Sequence, residues 1–510
     1  MENKALKTGV YYNENIFSEI CEQPVDVDFT LPDYCPDISK IFKCKAVTRI
    51  ISKGINGKNI TVDGNVLITL LYCDNANNLC SYEYLYPFSK IKEMPDECDS
   101  TNLAVSSKCE YINCRAVTGR KVDIHGAVSL NIRVFKRCSN QIVSDYDDSN
   151  VELKRMIAPA TVPIVYREKY LAIEEEISIG NTQPPVLSIL RTQASPIISE
   201  CKIMNDKTVA KGEMALTVLY CAEGLKAPQV LKTNLPFSQI IEMPGITEIC
   251  ECDIKPEIAS LEVKPFAVMG GECRNFSVNA KLLLKCESYC VNEIAVIEDA
   301  FSTKYETELT KKPLTFNRIC DTVNENCHIK KNVELSENIA SVVDVWCEVQ
   351  SKKVRFEKDK ICLNATVLAS MLACDGEDNV FFYEKAVDFE WSHTTSCSSE
   401  NLSFDPVIEI TSSGFTILNA NCIELRAELT ISGAVYEKNE VMLITDMQIF
   451  ADKPCKCNKK GGMVVCFNLN QESLWNIARK YNASIQEIMA INDLENENIS
   501  GKKMLLVPIN

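Results

Sequence analysis

The residues best equipped for chemistry in this 510-residue chain are its 26 cysteines and three histidines. Thiolates and imidazoles hold zinc when close pairs converge, typically from C-x-x-C or comparable spacings. Here the closest cysteines are Cys250/Cys252, Cys286/Cys290 and Cys455/Cys457, and no C-x-x-C occurs. His125, His328 and His393 lie far from one another in the chain. No metal and no cofactor is therefore expected, and the thiols read as dispersed and mostly buried, where cysteine packs as a small apolar residue. Motifs that carry catalysis are missing too: there is no P-loop, no G-x-G-x-x-G after a strand, no G-x-S-x-G elbow and no H-E-x-x-H. No acidic pair stands out as an acid/base couple, so the chain reads as non-enzymatic, with no catalytic residues.

The elements that carry these side chains repeat. Pro36-Asp-Ile-Ser-Lys-Ile-Phe-Lys-Cys-Lys-Ala46 aligns with Pro184-Pro-Val-Leu-Ser-Ile-Leu-Arg-Thr-Gln-Ala194. Gly64-Asn-Val-Leu-Ile-Thr-Leu-Leu-Tyr-Cys73 aligns with Gly212-Glu-Met-Ala-Leu-Thr-Val-Leu-Tyr-Cys221, and Pro87-Phe-Ser with Pro236-Phe-Ser. All three matches keep an offset of 148 or 149. A third copy follows at 301, with Ile339 on Ile38, Cys374 on Cys73 and Phe389 on Phe88; Ala365 replaces the glycine and Asp388 the proline. Each copy ends on an apolar-then-Asp strand: Ile142-Val-Ser-Asp145, Val296-Ile-Glu-Asp299 and Leu443-Ile-Thr-Asp446.

Within the motifs the period is two. Val122, Ile124, Val128, Leu130, Ile132 and Val134 alternate with Asp123, His125, Ser129, Asn131 and Arg133, a strand with one wet face that puts His125 on the surface. Gly64 to Cys73 is apolar on both faces and reads as a central, covered strand. Pro-Phe-Ser reads as a structural turn between sheets with its Phe anchored in the core. The expected fold is mainly β: three repeated antiparallel β-sandwich-like modules at 1–155, 156–310 and 311–452, the last divergent. A basic linker, 453–462, leads to a C-terminal domain at 463–510.

Net charge is −16, spread along the chain, which argues against a nucleic-acid or anionic-membrane surface. Met1 to Gly9 has Lys4 and Lys7 but no apolar run, and no stretch approaches a membrane span, so neither a secretory signal nor membrane insertion is expected. The cysteines would then meet a reducing compartment.

The Pro32-Asp-Tyr-Cys-Pro-Asp-Ile38 lead-in, the Gly-led strand ending in Tyr-Cys and the Pro-Phe-Ser segment together resemble the SPOCS family, a spore-coat-associated domain of endospore-forming bacteria. The resemblance spans roughly residues 10 to 450.

The C-terminal pattern is βααβ. Val464, Val465 and Phe467 make a short strand, and Ser473 caps a helix in which Leu474, Ile477, Ala478 and Tyr481 share a face. Ser484 caps a second helix, with Glu487 at its capping-box position and Ile485, Ile488, Met489 and Ile491 apolar. Gly501 precedes a closing strand, Met504 to Val507, ended by Pro508. These 48 residues resemble a LysM domain. The resemblance makes Leu474, Trp475, Ile477, Ala478, Tyr481, Ile488, Ile491, Leu505 and Pro508 core positions. It also implies a shallow groove for N-acetylglucosamine-containing glycan between Gln471, Glu472, Ser473 and Asn492, Asp493, Leu494, Glu495, Asn496. Gln471 stands where the family usually has glycine, crowding a place where backbone should meet sugar. Trp475 fits either a sugar-stacking or a buried role.

SPOCS repeats joined to a LysM imply a scaffold of the spore envelope in the mother-cell cytoplasm, at the forespore surface or spore coat. Its LysM would dock a coat basement-layer protein, a SpoIVA-like ATPase. The alternative is a peptidoglycan- or N-acetylglucosamine-binding protein of cell wall or cortex. Self-association of the repeats stays open.

Overall fold

The structure, a computed structural model, describes residues 5–97, 101–180, 182–268, 271–397, 401–455, 462–467, 472–499 and 504–509. The alternating pattern produces long strands. The first unit contains β1 (Ala5–Thr30), β2 (Lys40–Asn56), β3 (Asn59–Cys73), β4 (Leu79–Glu93), β5 (Asn102–Ala116) and β6 (Lys121–Tyr146). The second has β7 (Val151–Ser178), β8 (Val186–Met204), β9 (Lys207–Ala222), β10 (Gln229–Glu242), β11 (Glu251–Ala267) and β12 (Cys273–Ser302). The third has β13 (Tyr305–Glu334), β14 (Ser341–Glu357), β15 (Lys360–Cys374), β16 (Val380–Thr394), β17 (Leu402–Phe404), β18 (Val407–Asn419) and β19 (Cys422–Pro454).

Pairing is antiparallel and follows one plan. The outer strands of each unit form a hairpin joined by the fifth, giving the orders β1-β6-β5, β7-β12-β11 and β13-β19 with β17 and β18 on β19. The middle strands form meanders, β2-β3-β4, β8-β9-β10 and β14-β15-β16. Each meander packs face to face on its hairpin sheet, which makes a sandwich. In the first unit Ile60, Val62, Ile68 and Leu70 of β3 meet Val122, Ile124, Leu130 and Ile132 of β6, all without solvent exposure.

Two repeated motifs turn out to be partners. Gly64 lies opposite Phe88, and Gly212 opposite Phe237. A Cβ on Gly64 would come within 2.5 Å of the Phe88 ring and 2.6 Å of the Arg49 carbonyl oxygen. The glycine is there to seat the ring. Pro-Phe-Ser is thus not a turn between sheets: it lies inside β4 and β10, edge strands on which proline costs no ladder bond if its nitrogen faces outward. Phe88 is anchored in the core as expected, 7% exposed.

The lead-in is held by Arg120. Its guanidinium donates to the carbonyls of Leu31 (3.1 Å), Pro32 (2.7 Å) and Cys35 (3.4 Å) and to Asp37 (3.0 Å), while Ile38 N–H donates to Gly119 O at 2.6 Å.

The units close into a ring. The apolar-then-Asp strand ends converge: Ile142, Val296 and Leu443 pack together with Val10, Ala158 and Leu314, and Val143, Ile297 and Ile444 form the next layer. Around this hub each aspartate reaches a cation on the first strand of the next unit, Asp145 to Arg155 (2.7 Å), Asp299 to Lys311 (3.3 Å) and Asp446 to Lys7 (2.9 Å). A second hub joins the meanders through Leu71, Leu79, Leu190, Leu219, Trp346 and Leu372. At its centre Arg191 pairs with the buried Asp344 at 2.5 Å and stacks over Trp346, 3.6 Å from the ring centroid.

The thiols are less dispersed than the sequence suggests. Cys250–Cys290 and Cys320–Cys397 are disulfides, because strand pairing and sandwich closure bring together cysteines 40 and 77 residues apart.

Candidate binding site on the C-terminal domain

The C-terminal domain is built from β20 (Gly462–Phe467), α1 (Leu474–Tyr481), α2 (Ile485–Ile491) and β21 (Met504–Ile509), with β20 antiparallel to β21. Leu474, Trp475, Ile477, Ala478, Ile488 and Leu505 are buried, and Tyr481, Ile491 and Pro508 are half-buried. Ser473 caps α1, its hydroxyl accepting from Asn476 N–H at 3.3 Å. Ser484 makes no such side-chain cap on α2. The first amide of that helix instead donates to the Glu152 carboxylate of β7, at 3.2 Å.

That contact is one of several between this domain and the end of the β7–β12 hairpin. Trp475 Nε1 donates to Asp299 Oδ2 at 2.9 Å, Arg479 pairs with the same carboxylate, and Trp475 meets Phe301 edge-on at 5.1 Å. Burial raises the Asp299 carboxyl, but Trp475, Arg479 and Lys311 more than offset this and hold it below the usual range. The indole is 5% exposed, which removes it from any sugar-stacking role and makes it the anchor of the domain.

The expected groove residues have different tasks. Gln471 lies outside the described residues, as does Gly501. Ser473, Asp493, Glu495 and Asn496 are exposed, and Glu472 and Leu494 half-buried. Asn492 is a clamp: its amide donates to Ile488 O and Leu506 O, both at 2.7 Å, and its carbonyl accepts from Leu506 N–H at 2.8 Å. These bonds tie the end of α2 to β21, so Asn492 serves the fold at this position.

A second surface was not read from the sequence. On β20–β21 the cross-strand pairs Met463/Pro508, Val465/Leu506 and Phe467/Met504 share one face, opposite the buried Cys466 and Leu505. Met463, Val465, Phe467 and Met504 are all strongly exposed. The signal was present, since Met463-Val-Val-Cys-Phe467 is apolar at every position and a two-stranded sheet covers only one face.

Elsewhere, a cavity of about 580 Å³ opens between the first two units. Of its five cations, Lys43, Lys45 and Arg191 are matched by Glu384, Glu348 and Asp344 of the third unit and Lys264 by Glu262, so this side of it forms a wall of the meander hub. His125 sits on the surface between Asp26 (2.9 Å) and Asp123 (3.2 Å). His393 is held by Glu325 (2.7 Å) and Asp321 (3.1 Å); burial lowers its pKa, and the two carboxylates raise it by more, leaving it above the ordinary value.

A ring of β-sandwich units with a small βααβ domain anchored to it defines a multidomain binding scaffold. Comparison with known families gives it a name at the level of domains. Residues 37–117 and 185–265 each match the family described as SipL, SPOCS domain, and residues 470–508 match the LysM domain. The chain thus carries two SPOCS domains and a C-terminal LysM domain, both families of non-catalytic binding domains associated with sporulation and with peptidoglycan respectively. The third unit, with the same pairing plan, lies outside the matched ranges. No curated protein and no solved structure matches the chain. No helix among the described residues is long and apolar enough to cross a membrane.

Proposed function

We propose that this protein is a non-enzymatic scaffold of spore envelope assembly, built like the spore-coat morphogenetic protein SipL. In this reading it works in the mother-cell cytoplasm and docks coat to the forespore surface. Its LysM domain engages a coat basement-layer protein, a SpoIVA-like ATPase. The observation that carries the reading is the outer face of β20–β21, where Met463, Val465, Phe467 and Met504 stand exposed side by side. A contiguous apolar face suits a protein surface, whose contact core is apolar and aromatic. A glycan asks for an aromatic platform and free polar groups, yet here Trp475 and Asn492 are committed inside the protein.

The glycan reading keeps one observation in its favour, the LysM match itself. Both readings are tested by immobilising the full chain and measuring binding of the purified basement-layer ATPase and of chitin oligomers. The scaffold reading expects the ATPase to bind, and Phe467→Asp to abolish that binding while the domain stays folded. Retention of chitin oligomers or peptidoglycan fragments, with no ATPase bound, would replace it by the glycan reading.

A further inference from the structure

Besides its two disulfides, the fold brings together two pairs of thiols. Cys44 on β2 lies against Cys114 on β5, and Cys201 on β8 against Cys252 on β11, where those strands pack across the sandwich and each thiol perturbs the other. Three of the four pairs share a property that the sequence hides. Cys44, Cys201 and Cys397 belong to the meander side of their units, Cys397 just after β16, whereas Cys114, Cys252 and Cys320 belong to the hairpin sheets. Every unit therefore has one cysteine pair spanning its two sheets, and in the third unit that pair is a disulfide.

We propose that Cys201–Cys252 and Cys44–Cys114 are oxidation sites that close to disulfides, so that each of the three units carries one covalent staple between its sheets. The co-reactant is a low-molecular-weight disulfide. Cys201 is the entry point: it is exposed, and its sulfur lies 3.3 Å from Thr208 Oγ1. The neighbouring Cys252 pulls the Cys201 thiol down, and the same neighbour together with burial pushes Cys252 up. Cys201, the exposed partner, is therefore the one that loses its proton more readily and attacks first.

The exchange then runs in two steps. The Cys201 thiolate attacks one sulfur of the reagent, whose S–S bond breaks. One thiolate leaves and takes a proton from water. Cys252 gives its proton to solvent and attacks the Cys201 sulfur of the mixed disulfide, expelling the second reagent thiol. Two protein thiols and one reagent disulfide become one protein disulfide and two reagent thiols, with two electrons passing to the reagent. In the first unit the pair's contact lowers Cys114 and raises Cys44, so Cys114 is the one that attacks first. Both of those sulfurs are half-buried, which makes that pair the slower one.

The test equilibrates the reduced full-length chain with mixtures of oxidised and reduced glutathione, alkylates the remaining thiols and maps peptides by mass spectrometry. Linked Cys201–Cys252 peptides are expected first, then Cys44–Cys114, within single chains and with a rise in melting temperature of several degrees. Cys201→Ser should remove the first link and leave the second. Cys252→Ser, with Cys201 intact, should stop at a glutathione adduct on Cys201, which separates failed resolution from failed access. Glutathione remaining on Cys201 of the unsubstituted chain would overturn the proposal, as would links between chains or all four thiols recovered alkylated under oxidising mixtures.

Discussion

Gly64 shows how a single residue's absence of side chain sets a whole motif. Its Cα faces the Phe88 ring, and a Cβ there would also press on the Arg49 carbonyl oxygen, a backbone atom that cannot move aside cheaply. Gly64→Ala should destabilise the first unit by about 1 to 3 kcal/mol, the usual cost of forcing a methyl into a packed core. The third unit offers the control, because Ala365 already stands opposite Phe389 with its methyl buried. Ala365→Gly removes no clash and should cost only about 1 kcal/mol, from strand entropy and the lost methyl. Thermal unfolding of the two variants beside the parent measures both. A larger loss for Ala365→Gly than for Gly64→Ala would mean that the ring does not need the gap. The alignment showed that glycine and phenylalanine repeat together; it did not show that they touch, because two segments of one register become neighbours only once β3 and β4 pair.

At the scale of elements, the LysM helices owe their position to residues outside the LysM. Asp299 accepts from Trp475, pairs with Arg479, and lies beside Phe301, while Glu152 accepts from the first amide of α2. Asp299→Ala leaves a buried indole N–H and a guanidinium without their acceptor, a loss of about 1 to 3 kcal/mol at the contact. Trp475 fluorescence should then shift to the red as the indole meets water, and amides of α1 should exchange faster. An unchanged emission maximum would show that Phe301 packing alone holds the domain. The core of this domain was legible, since Leu474, Ile477, Ala478 and Ile488 keep helical spacing and are buried. Its working surfaces were not. Asn492 looks like a ligand contact in the motif and is consumed by a backbone clamp, while Trp475, a core position in the motif, is buried against residues the motif does not contain. A local pattern cannot say which neighbour, 176 residues away, completes it.

On the scale of the molecule the question is what closes the ring. The three ion pairs around the first hub form a cycle that includes Lys7–Asp446, whose side chains are 39% and 43% exposed. Exposed pairs contribute about 0 to 1 kcal/mol, so this closing pair marks the closure without causing it. Burial of Ile142, Val296 and Leu443, each 1% exposed, stabilises it more, by about 1.5 to 3 kcal/mol per side chain. At the second hub the balance differs, because Asp344 is 1% exposed in its side chain and Arg191 10%. Asp344 also pairs with Lys232 (3.0 Å), so removing Asp344 is the change that strands a buried charge, that of Arg191, at a cost of about 3 to 5 kcal/mol. The offsets of 148 and 301 set out three copies of one motif set, each ending on an apolar-then-Asp strand. Their convergence stayed hidden, because equivalent residues in three sandwiches touch only after the sandwiches pack. Lys7→Ala should therefore leave the unfolding curve in place, and Asp344→Ala should shift it strongly. Because Arg191 and Asp344 come from the second and third units, hydrogen exchange in the Asp344→Ala chain should rise in both together. Exchange rising only in the third unit would mean that the units are beads on a string, each stable by itself.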